Sequence, residues 1–182
     1  MMAEQSAGDE AAQAGQTFGP IGIGPFREGD ATPDIYFTIS LVLAARRWRS
    51  LLDEKLRPIN QSSARMEAMS AILNSPTLSP QVDIARRLRI EGPTLTRMLD
   101  SLEKDGLVER LPDPKDRRTK LLRLTPEGEA ALEQVFAIAR EWRARLLDGF
   151  AEEDMEQATR FCTALVGRLD TGLDSKGPEG GA

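Results

Sequence analysis

Lys115, Arg117, Arg118 and Lys120 crowd a short segment whose neighbours Pro112, Asp113, Pro114 and Asp116 are turn formers. Cations gathered on such a tip suit one chemistry above others, the holding of nucleic-acid phosphates. An arginine among them can also enter the negative potential of a narrow minor groove. Arg118 is expected in that groove with Asp116 holding it, and Lys115, Arg117 and Lys120 on phosphates. Just upstream, Thr94, Arg97, Ser101 and Lys104 share one side of a helically spaced segment that also carries Thr96. Such side chains near a helix start can read base edges in a major groove. Thr94, Thr96 and Arg97 are assigned to bases, Ser101 and Lys104 to the backbone. The competing reading of both sets is solvated surface and salt pairing. Catalysis is not expected: the chain has no histidine, one cysteine, and no nucleophile–base or metal-ligand spacing, so neither metal nor cofactor is called for.

These residues need elements to present them. Ser79-Pro80 reads as a helix start followed by Ile84, Ala85 and Leu88 at helical spacing, and Ile90-Glu91-Gly92 as a break. Pro93 opens a second helix whose Leu95, Met98, Leu99 and Leu102 recur at i, i+3, i+4 and i+7, and Gly106 ends it. Leu107 to Leu111 and Leu121 to Leu124 are β-compatible runs on either side of the charged turn, hence a hairpin. Thr125 can cap the next helix, with Pro126 at its first position and Glu127 against the positive end of its dipole. The fold expected is mainly α with a small β-hairpin wing: a winged helix-turn-helix lobe over about 61–125 between helices over about 34–57 and 126–170.

The flanking helices carry more apolar surface than one chain needs. Ile35, Ile39, Val42 and Leu43 lie on one side of the first, and Leu41, Ala45, Trp48 and Leu52 on another. After Thr125, a long stripe runs through Leu132, Val135, Phe136, Ala139, Trp142, Leu146 and Phe150. Met155, Ala158, Cys162, Leu165, Val166 and Leu169 form a shorter one, which makes Cys162 a core residue rather than a redox switch. A homodimer is expected.

From Leu78 through Gly128 the chain resembles the MarR family of winged-helix transcription regulators, and within it the SlyA-like branch. The matching pieces are Ile84-Ala85, the segment from Pro93 to Glu103, Gly106-Leu107-Val108-Glu109-Arg110, Asp116-x-Arg118, and Leu124-Thr125-Pro126-Glu127-Gly128. The resemblance implies that the terminal helices of two subunits interlock, so that two lobes face a pseudo-palindromic duplex. It also implies an aromatic-carboxylate effector between the first helix and the lobe, with Arg46, two positions before Trp48, and Arg97 at the family's arginine positions. Arg46, Arg47 and Arg49 around Trp48 offer a carboxylate clamp and a stacking face, or are solvated or paired with Asp53 and Glu54. Where relatives carry His-Trp at the start of the second helix, this chain has Arg65-Met66. A pocket of Arg46, Trp48, Arg65, Met66, Met69 and Arg97 would suit an aromatic acid, including a larger one.

Overall the chain is acidic, with 24 Lys and Arg against 29 Asp and Glu. Between Ser79 and Thr125, however, 11 basic residues meet 8 acidic ones, so the basic excess sits where DNA would lie. Residues 1–30 and 175–182 are expected from their composition to be disordered, or in the first case to form an arm with Ile21, Ile23 and Phe26 packing on a partner. Gly19 to Pro25 lacks the strand and the Lys-Ser or Lys-Thr of a phosphate loop. No signal peptide or membrane span is apparent, so the cytoplasm is expected. The runner-up function is a winged helix used only for protein contacts, or a DNA-binding protein without a ligand.

Overall fold

The computed structural model describes residues 32–75, 77–116 and 118–172. The expected arm over 1–30, the tail over 175–182 and Arg117 lie outside them. The described residues form two compact units that divide in sequence between Ala68 and Met69.

In the first unit, helix α1 (Pro33–Leu56) begins with a proline in its first turn and Asp34 near the positive end of its dipole. Phe37, Val42 and Leu43 are exposed, whereas Leu52 and Leu56 are fully buried. A 3-10 turn, Arg57–Ile59, stops at Asn60, whose φ of 56° is in the left-handed region that asparagine tolerates. Asp53 Oδ1 then accepts the Ser63 amide at 2.6 Å and satisfies a donor at the start of α2 (Ser63–Leu73). Asp53 is therefore a cap, not a partner for the α1 arginines. Arg49 instead pairs with Glu67 at 2.6 Å.

The second unit holds a helix-turn-helix, α3 (Gln81–Leu88) and α4 (Gly92–Lys104), and a three-stranded antiparallel sheet. Its strands are β1 (Ser79–Pro80), β2 (Val108–Pro112) and β3 (Lys120–Leu124), in the order β1-β3-β2. Ser79-Pro80 opens a helix as expected, with Pro80 the N-cap of α3, and the same two residues also form a strand that pairs with Leu122 and Leu121 of β3. Proline tolerates this place because β1 is an edge, where a missing N–H breaks no ladder. In the hairpin Val108 opposes Leu124 and Arg110 opposes Leu122, which puts Val108, Leu122 and Leu124 on the buried face. They join Ile84, Leu95, Leu99, Leu102, Leu132 and Val135 among the buried residues of this unit.

Helix α5 (Pro126–Leu146) is pinned to the sheet by its cap. Thr125 Oγ1 accepts the Gly128 amide at 3.0 Å and donates to the Gly106 carbonyl at 2.6 Å, while the Leu107 carbonyl accepts the Thr125 amide at 3.1 Å. Gly106 reverses the chain after α4 with a φ of 72°. Gly128 is required by contact, since a Cβ there would lie 2.0 Å from the Leu107 carbonyl oxygen. After a break, α6 (Glu152–Thr171) follows, and none of its residues is buried. Cys162 is accordingly half-buried rather than a core residue, because the stripe it belongs to faces outward in the single chain. No described helix is long and apolar enough to cross a membrane.

Candidate nucleic-acid interface

Helix α4 buries Leu95, Leu99 and Leu102 and exposes Thr94, Arg97, Ser101 and Lys104. Its second residue is Pro93 and the Glu91 carbonyl accepts the amides of Thr94 and Leu95, which fixes its first turn. Arg97 and Lys104 carry exposed charges that no carboxylate engages among the described residues. Thr96 is placed differently from its neighbours. Its hydroxyl accepts from Gln81 Nε2 at 2.5 Å and donates to the Gly92 carbonyl at 3.0 Å, tying α3 to α4 across the turn.

The wing tip is shaped by two aspartates. Asp113 Oδ1 accepts the Lys115 amide at 2.8 Å and Asp116 Oδ1 the Arg118 amide at 3.0 Å, each a local side-chain turn. Asp116 Oδ2 also accepts the Thr119 hydroxyl at 3.0 Å. Asp116 therefore holds Arg118 by its backbone, which leaves the guanidinium available. The side chains of Lys115, Arg118 and Lys120 are exposed and without ion pairs among the described residues.

Three other arginines of this unit, Arg123, Arg89 and Arg110, are engaged by carboxylates. Arg123 Nε donates to its cross-strand neighbour Glu109 at 2.6 Å, which lowers the Glu109 carboxyl below its usual range through that hydrogen bond and removes Arg123 from the free cations. Arg89, in the left-handed region with a φ of 53°, holds Asp170 of α6 with two hydrogen bonds, one of 2.7 Å. Arg110 was not singled out by its sequence surroundings. Its Nη1 donates to Glu103 Oε2 at 2.6 Å and its Nη2 to Asp100 Oδ1 at 2.7 Å. An open cleft of about 570 Å³ lies between α3 and the wing, lined by Val82, Ala85, Ile90, Arg86, Arg118 and Lys120 among others. Nothing local in the sequence marks it, because its walls come from segments some 30 residues apart.

The residues expected to hold an effector are divided between the two units, Arg46, Trp48, Arg65 and Met66 in the first and Met69 and Arg97 in the second. Arg46 is exposed and Trp48 half-buried on α1. Arg65 and Met66 are half-buried in the first turn of α2, where Arg65 Nε donates to Gln61 Oε1 at 3.1 Å. Met69 is fully buried.

The family model described as the MarR family matches residues 62–120. The chain is similar to the transcriptional regulator PA3341, with 32% identity over 75% of this chain and 100% of that one and a TM-score of 0.67. A cysteine-to-serine variant of MarR from E. coli, in complex with operator DNA, is 26% identical over 72% of this chain and 94% of the other, with a TM-score of 0.67. A complex of S. aureus MepR with DNA shares the fold at 24% identity over 76% and 98%, with a TM-score of 0.65.

Proposed function

The chain belongs to the MarR family, and from that premise we propose that it is a dimeric, sequence-specific, DNA-binding transcription regulator of the SlyA-like branch. The observation that carries this reading is the division of cations within one lobe. Arg110, Arg123 and Arg89 are committed to carboxylates, while Arg97, Lys104, Lys115, Arg118 and Lys120 are exposed and uncommitted. Uncommitted cations on a helix and on a wing fit phosphates and two adjacent grooves. In this reading Thr94 and Arg97 read bases, Ser101 and Lys104 approach the backbone, and Arg118 enters the minor groove. Lys115, Lys120 and Arg117 neutralise phosphates. Thr96 holds α4 in place through Gln81 and contributes to readout through that brace.

The likeness to a MarR–operator complex supports this reading. The exposed Phe37, Val42 and Leu43 of α1, and the exposed Phe161, Val166 and Leu169 of α6, support a homodimer that covers them. Two lobes related by a two-fold axis would read pseudo-palindromic half-sites. We further propose that the protein acts as a repressor in the cytoplasm and that an aromatic carboxylate releases it from DNA. The effector would bind Arg46, Trp48, Arg65, Met66 and Arg97, and a shift of about 1–3 kcal/mol in DNA affinity would be ordinary coupling. Calorimetry with benzoates, hydroxycinnamates and their thioesters on wild type and Arg46→Ala tests the effector. Equal binding by both proteins would remove that pocket and leave the DNA reading standing.

The DNA reading itself is tested by gel shift with the duplex flanking the protein's own gene. Arg118→Ala is expected to weaken that complex at least about tenfold at fixed salt while the protein stays folded. Unchanged affinity would exclude the wing as a contact.

A further inference from the structure

Arg110 sits on β2 opposite Leu122, on the face of the sheet that carries Val108 and Leu124, and its side chain is only 17% exposed. A charge so placed needs partners, because an unpaired ion away from water is costly. Among the described residues all of its partners belong to α4. Besides its hydrogen bonds to Asp100 and Glu103, Nη2 approaches the Thr96 carbonyl at 3.4 Å. One planar guanidinium therefore grips the flank of the helix over two successive turns, from Thr96 to Glu103. Its fork geometry restricts both the rotation and the sliding of α4 against the wing strand.

The two carboxylates it engages are themselves partly exposed, 59% for Asp100 and 43% for Glu103. They share the helix with Arg97 and Lys104, so without a counter-charge they would oppose DNA phosphates at short range. Arg123, also in the hairpin, is engaged by Glu109 on the far side of the sheet. Thr96 is the point where two braces meet: its hydroxyl is bound from α3 by Gln81 and its carbonyl is approached from β2 by Arg110.

We propose that Arg110 is a positioning residue for sequence discrimination: it fixes α4 relative to the wing, so that base-reading side chains and Arg118 meet adjacent grooves in one register. This rests on the DNA-binding function proposed above. Arg110 touches no base in this scheme. Its effect falls on the ratio between a preferred duplex and a scrambled one more than on general affinity.

The experiment uses the full-length protein and a duplex selected from a random pool by the wild type, with a scrambled duplex of equal length as reference. Failure of the wild type to enrich any duplex would overturn the DNA reading, separately from the inference about Arg110. Given enrichment, Arg110→Lys keeps the charge and removes the fork. It is expected to bind the scrambled duplex within about twofold of wild type while the preferred-to-scrambled ratio falls at least about tenfold, the scale of a lost base contact. Asp100→Asn/Glu103→Gln/Arg110→Ala removes all three charges, so it leaves no unmatched carboxylate. It is expected to match the discrimination lost in Arg110→Lys. Wild-type discrimination in either variant would overturn the proposal, and in the triple variant it would reduce Arg110 to a mask for the two carboxylates. Thermal unfolding of each variant separates loss of fold from loss of register, and Arg110→Lys carries the decision if the triple variant does not fold.

Discussion

The winged lobe and helix α6 meet the same physical requirement in opposite ways. In the lobe, Leu95, Leu99, Leu102 and Leu122 are essentially buried within one chain, and its interior-facing arginine has two carboxylates. In α6 no residue is buried, and Phe161, Val166 and Leu169 stand at 53%, 44% and 63% exposure. The first is a finished structure with polar residues left over, and those leftovers are what can bind DNA. The second is an amphipathic helix whose apolar side is covered only in part, and in the proposed dimer a second copy would complete that cover.

The largest effect that would break this contrast is in α6. Val166→Glu places a charge where the proposed dimer would bury an apolar side chain, at an expected cost of several kcal/mol. Sedimentation should show the dimer dissociating at least about a thousandfold more readily, with the lobe still folded. A monomeric wild type, or a Val166→Glu variant that dimerises normally, would remove the reason for the exposed stripe.

The lobe is broken at its tightest backbone contact. Gly128→Ala forces a methyl group against the Leu107 carbonyl and is expected to destabilise the lobe by about 3 kcal/mol in denaturant unfolding. Thr125→Ala removes the cap and the bond to the Gly106 carbonyl, with an expected loss of about 1–2 kcal/mol by the same measurement. A Gly128→Ala variant as stable as wild type would show that α5 does not approach the sheet as closely as described.

The smallest effect concerns the ion pair between the helix-turn-helix and α6. The Arg89 hydrogen bond lowers the Asp170 carboxyl below its usual 3.8. A folded-state value depressed below the unfolded one gives stability that is present above the unfolded value and lost as pH falls through the folded one. Wild type should therefore be slightly more stable than Asp170→Asn at pH 7, and the gap should close on acidification below about pH 4. A gap independent of pH would assign the effect of Asp170 to packing.

Much of this contrast is legible in the chain. The 3.6-residue spacing of Leu95, Met98, Leu99 and Leu102 marks α4, and Thr125-Pro126-Glu127 marks the start of α5, because those signals act within a turn of the backbone. What escapes is what distant residues decide. Ser79-Pro80 reads correctly as the start of α3, but its pairing with Leu122 and Leu121 of β3 has no local signal. Arg110 looks like one more surface cation until the hairpin register turns it toward α4. Arg89 and Asp170 lie 81 residues apart, and no periodicity connects them. Cys162 illustrates the reverse case, since its stripe is plain in the sequence while the residue itself is only half-buried in the fold.

In the proposed complex the uncommitted cations of the lobe, Arg97, Lys104, Lys115, Arg118 and Lys120, engage phosphates and grooves. The most direct test of this is the salt dependence of binding to the preferred duplex, measured for wild type and for Lys115→Ala/Lys120→Ala. Log K is expected to fall linearly against log salt with a slope steeper than about −5, flattened by about one for each phosphate contact removed. A slope near zero, or one that the double substitution leaves unchanged, would contradict it.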